Sequence, residues 1–131
     1  MAETLSTRPW VLLLEDEAEL VTILCESLKD EYQFDVAVNA EEALKLLNGR
    51  AYDLILSDLM LPGKKQGLDF LLLAMYQQPK AKRILMSGYL SPELLARSVP
   101  LAQLSACLMK PVEMGLLRQE LRAALAPGAR A

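Results

Sequence analysis

Residues 51–67 read AYDLILSDLMLPGKKQG. The apolar run Leu54-Ile55-Leu56 leads through Ser57 into a carboxylate, Asp58. Further hydrophobes, Pro62 and a basic loop between Gly63 and Gly67 follow. A continuously apolar run of this length reads as a strand covered on both faces. An acid at the end of such a strand carries a desolvation cost unless it is paired or liganded. This stretch therefore poses the question of what meets Asp58.

Working outward, similar short runs recur along the chain: WVLLL (10–14), FDVAV (34–38), DLILS (53–57), RILMS (83–87) and ACLM (106–109). Amphipathic segments lie between them. In 17–30, Leu20, Ile23, Leu24 and Leu28 form one stripe. Asn39 followed by Glu42 is a capping-box start for a helix carrying Ala43, Leu44 and Leu47, which Gly49 stops. The stretch 67–77 places Leu68, Leu71, Leu72 and Met75 on one face. Ser91-Pro92-Glu93 reads as a cap followed by proline at the first helical position. That helix is expected to end near Ser98, because Pro100 is costly in a helix interior. The final helix, about 112–126, carries Leu117, Leu121 and Leu125 and stops before Pro127-Gly128.

Five βα units in succession imply an α/β fold: a doubly wound parallel sheet with helices on both faces. Five strands favour the flavodoxin-like order 2-1-3-4-5. The 131 residues fit a single domain, 1–131, with a core at about 9–126 and flexible ends at 1–8 and 127–131.

With 53% hydrophobic and 24% charged residues, the chain can bury a sizeable core, so disorder is excluded. The formal net charge of -3 leaves no basic footprint for direct nucleic-acid binding. Lys80, Lys82 and Arg83 make the nearest approach to a basic cluster, and they read as a solvated face. Cys25 and Cys107 match no metal-ligand spacing and read as free buried thiols in a reducing compartment. The absence of histidine excludes histidine acid/base catalysis, histidine-ligated metals and an internal phosphohistidine. The start, MAETLSTRPW, lacks the pattern of a signal peptide, and no apolar run could span a bilayer. A cytoplasmic protein is expected.

Ligands of open α/β sheets bind beyond the strand carboxyl ends, where strand order reverses. Here that point gathers Glu15 and Asp16 after the first strand and Asp58 after the third. Such carboxylates repel one another and raise each other's pKa unless a positive charge intervenes. A hard divalent cation would serve, and Mg²⁺ binds one or two carboxylates together with waters and phosphate oxygens. Lys110 ends the fifth strand and Ser87 the fourth, adding an ammonium and a hydroxyl. Taken singly, each has an ordinary reading. EDE at a helix start suits the helix dipole, the serine suits a turn, and the lysine suits solvent. Jointly, four placements at strand ends argue for one site.

The pieces VLLLEDE, YDLILSDLMLPG, ILMSG and LMKPV resemble, in this order, the receiver domain of two-component response regulators, over about residues 9–126. The resemblance implies that Asp58 is the phosphoacceptor, taking a phosphoryl group from a phosphohistidine on a sensor histidine kinase or a histidine phosphotransfer protein. It implies Mg²⁺, with Mn²⁺ as a workable substitute, held by Asp16, Glu15, Asp58 and the backbone carbonyl of Met60. Lys110 and Ser87 would contact the phosphoryl group, and the Lys110-Pro111 bond would be cis. It further implies catalysis limited to self-phosphorylation and slow self-dephosphorylation, a downstream protein target, and room for weak homodimerisation. The rival readings are a receiver-like docking module that is not phosphorylated, and a small-molecule hydrolase with Asp58 as nucleophile.

Three features depart from the family pattern. The acidic pair is Glu15-Asp16, one methylene longer at its first member. The loop Pro62–Gly67 is one residue longer and carries Lys64 and Lys65. Cys107 stands where the family usually has a switch aromatic, and a thiol cannot reproduce that ring's rotamer change. Met60 and Tyr89 flank the path of an attacking water, and Met60 offers no polar group to orient it, so slow dephosphorylation is expected.

Overall fold

The structure, a computed structural model, describes residues 8–59, 67–88 and 91–128. Five strands alternate with five helices: β1 (Trp10–Leu14), α1 (Ala18–Leu28), β2 (Gln33–Ala37), α2 (Ala40–Gly49), β3 (Leu54–Asp58), α3 (Gly67–Gln77), β4 (Lys82–Ser87), α4 (Pro92–Ala102), β5 (Ala106–Met109) and α5 (Met114–Leu125). All neighbouring strands pair in parallel, in the expected order β2-β1-β3-β4-β5.

Side-chain alternation along the inner strands divides the core into two layers. Leu12, Leu14, Ile55 and Leu85 pack with Ala43 and Leu47 of α2, with Phe70, Leu71 and Ala74 of α3, and with Ala102 of α4. On the other face, Val11, Leu13, Leu54, Leu56, Ile84 and Met86 pack with Leu24 and Leu28 of α1 and Leu117 and Leu121 of α5. Every residue of β3 is buried, which is why the run through Leu56 carries no alternation. Truncating one such leucine to alanine costs on the order of 2–5 kcal/mol. The sheet centre is therefore a rigid base for whatever its ends carry.

Several local expectations shift. The third strand runs one residue later than DLILS, so Asp58 is its last paired residue, opposite Met86. The stripe of α1 narrows to Leu24 and Leu28, and Ile23 is 51% exposed. In α3 the buried face centres on Phe70, Leu71 and Ala74, and Leu68 and Leu72 pack at its margin. The capping box holds: Asn39 Oδ1 accepts from the Glu42 backbone N–H at 2.8 Å, while Glu42 Oε1 accepts from that of Val38 at 3.2 Å.

Two expectations are overturned together. α4 continues past Ser98 to Ala102 with Pro100 inside it. Arg83, far from solvated, is completely buried beneath the end of that helix. Its Nε donates to Ala102 O at 2.8 Å, Nη1 to Ala81 O at 2.6 Å and Nη2 to Gln103 O at 3.4 Å. A cation at a helix C-terminus satisfies otherwise orphaned carbonyls and suits the helix dipole. Pro100 removes one N–H near the helix end, while buried Ser98 and Ala102 and the guanidinium hold the last turn in place. The chain then leaves through Gln103, whose φ of 49° is left-handed, and Leu104 N donates back to Val99 O at 3.0 Å. Burial holds the Arg83 pKa below its usual range.

Cys25 and Cys107 are free and half-buried, on opposite faces of the sheet. Among the described residues, no helix is long and apolar enough to cross a membrane.

Candidate functional site

β1 and β3 are neighbours at the point where strand order reverses, and their carboxyl ends present three acids side by side. Glu15 continues β1, anchored by its backbone N–H donating to Ala37 O at 3.0 Å, and its side chain is wholly buried. Asp16 follows it and is exposed. Asp58 ends β3 with its side chain 8% exposed. Carboxylate oxygens of Glu15, Asp16 and Asp58 lie within 4.8 Å of one another.

Lys110 reaches the same point from the end of β5, where its backbone N–H donates to Ser87 O at 2.8 Å. Its peptide bond to Pro111 is cis, as expected. Its Nζ lies 2.9 Å from Glu15 Oε1, 2.8 Å from Glu17 Oε1 and 3.1 Å from Asp58 Oδ2. Burial alone would pull the ammonium's pKa down, but the carboxylates of Glu17, Glu15 and Asp58 gathered around it carry it above the ordinary lysine value. The lysine is thus a fixed positive charge at neutral pH. For Glu15, burial pushes the carboxyl up. Lys110 and the Glu17 backbone N–H, which donates to Oε2 at 3.1 Å, oppose that push, while the charge of Asp58 adds to it.

Among the described residues, one ammonium meets this set of acids, which leaves them short of positive charge. Glu15 Oε1 is fully buried and, despite its proximity to Lys110, receives no aligned hydrogen bond among the described residues. A buried carboxylate oxygen within reach of two further carboxylates is the donor set a hard cation takes. The residues present therefore fit a divalent cation. Met60, whose carbonyl was expected to join this set, lies outside the described residues, as do Tyr89 and positions 62–66 of the basic loop.

Ser87, the last residue of β4, is buried and lies one position beyond Met86, the register partner of Asp58. The structure thus brings Glu15, Asp16, Asp58, Ser87 and Lys110 to one rim of the sheet. Cys107 pairs in register with Leu85 and packs against the layer beneath α3 and α4, and burial pushes its thiol pKa up.

Two residues not singled out from sequence belong to the site. Gly67, the first residue of α3, donates its backbone N–H to Leu59 O at 2.9 Å. A Cβ placed there would lie 1.8 Å from Asp58 O, so only glycine lets α3 start this close to the Asp58 backbone. Its sequence signal was a glycine at a helical position, where it is otherwise unfavourable. The second is Glu17, which stands at the N-cap of α1 without capping it. Its carboxylate goes to Lys110 instead, across 93 positions of sequence, a pairing no local pattern announces.

Comparison with known proteins agrees with this geometry. The response regulator receiver domain profile matches residues 11–122. The hydrogenase transcriptional regulatory protein HoxA of Cupriavidus necator is 31% identical over 101 residues, covering 77% of this chain and 21% of that protein. The chain thus spans about a fifth of the length of that curated relative. The signal receiver domain of an HD domain-containing protein from Pseudomonas fluorescens Pf-5 superposes with a TM-score of 0.83 at 31% identity, covering 90% of this chain and 94% of that one. A response regulator from Burkholderia pseudomallei, solved with a phosphorylated aspartic acid, a calcium ion and citrate, superposes with a TM-score of 0.79 at 25% identity, covering 89% of this chain and 68% of that one. The chain belongs to the response regulator receiver domain family.

Proposed function

We propose that Asp58 is the phosphoacceptor of this receiver domain, taking a phosphoryl group from a phosphohistidine on a histidine kinase or phosphotransfer protein. The observation that supports this most strongly is the buried Asp58 carboxylate at a strand end, with the Lys110 ammonium 3.1 Å away and two more carboxylates within 4.8 Å. A carboxylate oxygen of Asp58 attacks phosphorus. The P–N bond of the donor breaks, the imidazole leaves with its electron pair, and an acyl phosphate forms. Phosphoryl transfer asks the protein mainly for alignment and charge stabilisation. Lys110 supplies a fixed positive charge beside the transferred group, and the Ser87 hydroxyl donates to one of its oxygens.

Glu15, Asp16, Asp58 and the Met60 carbonyl would hold Mg²⁺. When bound, it supplies the remaining charge neutralisation and aligns the phosphoryl oxygens. An acyl phosphate brings roughly -1.5 to -2 charges, by analogy with other phosphorylated side chains, enough to draw Lys110 and Ser87 inward. With Cys107 at the switch position, output runs by a route other than an aromatic flip, or the domain passes the phosphoryl group onward. Its place of action is the cytoplasm, and self-dephosphorylation is slow.

The test is incubation with acetyl phosphate, with and without Mg²⁺, followed by intact-mass measurement. A Mg²⁺-dependent gain of one phosphoryl group, abolished in Asp58→Ala, is expected. No gain under any condition would favour a docking module, and steady phosphate release without accumulation would favour a hydrolase.

A further inference from the structure

The Lys110 ammonium is shared by three carboxylates, and they are not equivalent. Glu15 is 0% exposed and Asp58 8%, but Glu17 is 62% exposed. Glu15 and Asp58 are fixed by the strands that carry them, whereas Glu17 reaches Lys110 from a helix cap it does not serve. Its carboxylate and Lys110 together border a groove of about 460 Å³ that opens over Leu20 and Val112. On that side the exposed Glu17 carboxylate sets a negative charge 2.8 Å from the ammonium.

We infer that Glu17 is a latch on Lys110, a positioning residue that holds the ammonium in the unphosphorylated state and leaves it when a phosphoryl group arrives. The inference rests on the phosphoacceptor reading of Asp58. A phosphoryl group on Asp58 adds three acceptor oxygens close to Lys110. Glu15 and Asp58 stay with the buried strand ends, so Glu17 is the partner that yields, and its carboxylate turns to solvent, where its charge is hydrated at little cost. The Glu17–Lys110 pair therefore stabilises the unphosphorylated form selectively. Removing the charge of Glu17 shifts the equilibrium toward the phosphorylated form.

The test uses beryllofluoride, a stable phosphoryl mimic, at saturating Mg²⁺, with bound and free fluoride read by ¹⁹F NMR for the wild-type chain, Glu17→Gln, Lys110→Met and the double variant. The rate of mass gain from acetyl phosphate is measured in parallel. Glu17→Gln is expected to bind beryllofluoride about 1.5- to fivefold more tightly, the range an exposed ion pair supplies, and to gain mass faster by a similar factor. In the Lys110→Met background, Glu17→Gln is expected to change nothing, because the latch acts through the ammonium. A wild-type chain that takes the mimic, paired with a Glu17→Gln variant of equal or weaker affinity, would overturn the latch and leave the phosphoacceptor reading intact. An undiminished effect in the Lys110→Met background would overturn it too, by assigning the effect to bare charge repulsion. A wild-type chain that takes neither group would overturn both.

Discussion

Gly67 and Arg83 show how single residues set the geometry of the site and its surroundings. Gly67→Ala would press a methyl group to 1.8 Å from Asp58 O, and the neighbour is backbone, which cannot swing away. A loss of about 2–3 kcal/mol in urea unfolding is expected, together with slower phosphorylation as Asp58 shifts; an unchanged midpoint would contradict the packing described. Arg83 was legible as a basic residue but not as a buried one, since two of its three carbonyl partners lie about twenty positions away. Arg83→Ala takes the guanidinium donor from the buried Ala102 carbonyl, at a cost of about 1–3 kcal/mol, read as a lower urea midpoint. The ion pairs on Lys110 were hidden for a similar reason. Periodicity reports which face a residue occupies, not which distant side chain it meets.

At the scale of elements, the sequence identified all five strands and five helices, because continuous apolar runs and cap signals are local features. Ends were less legible where tertiary contacts decide them. β3 takes in Asp58 because Met86 on β4 offers it a register partner. α4 outlasts its proline because Arg83 and the buried Ser98 and Ala102 secure the last turn. Pro100→Ala restores an N–H to that turn and is expected to stabilise the protein by about 1 kcal/mol or more, below the ~3 kcal/mol of a mid-helix proline. Urea denaturation measures it, and a loss of stability would show that the ring is required there. A second element-scale contact lies at the opposite end of the sheet, where the Tyr52 hydroxyl donates to Asp35 Oδ2 at 2.7 Å. Burial first, then this hydrogen bond and the charge of Asp35, raise the Tyr52 pKa. A group whose folded pKa is raised stabilises below its unfolded value, about 10, and that contribution is lost as pH rises through the folded value. Stability is therefore expected to fall above pH ~10, and less steeply in Tyr52→Phe, as followed by thermal midpoints across alkaline pH.

For the whole molecule, the doubly wound topology and its reversal between β1 and β3 explain why acids 43 positions apart share one site. That convergence could be foreseen from Glu15, Asp16 and Asp58 at strand ends, because the topology rule is general. The Glu17 contact could not, because it depends on how a side chain resolves local charge. Crowded carboxylates that meet one lysine among the described residues suit a cation, so Mg²⁺ should raise the unfolding midpoint. The expected stabilisation is about 2.7 kcal/mol at a hundredfold excess over Kd, reversed by EDTA and weakened in Asp16→Asn. The central claim is most directly tested by locating the acyl phosphate itself. The chain phosphorylated with acetyl phosphate and Mg²⁺ is reduced with borohydride, which converts an aspartyl phosphate to homoserine, and its peptides are sequenced by mass spectrometry. Homoserine at position 58 is the predicted result; homoserine at position 16, or a phosphorylated chain that yields none, would contradict it.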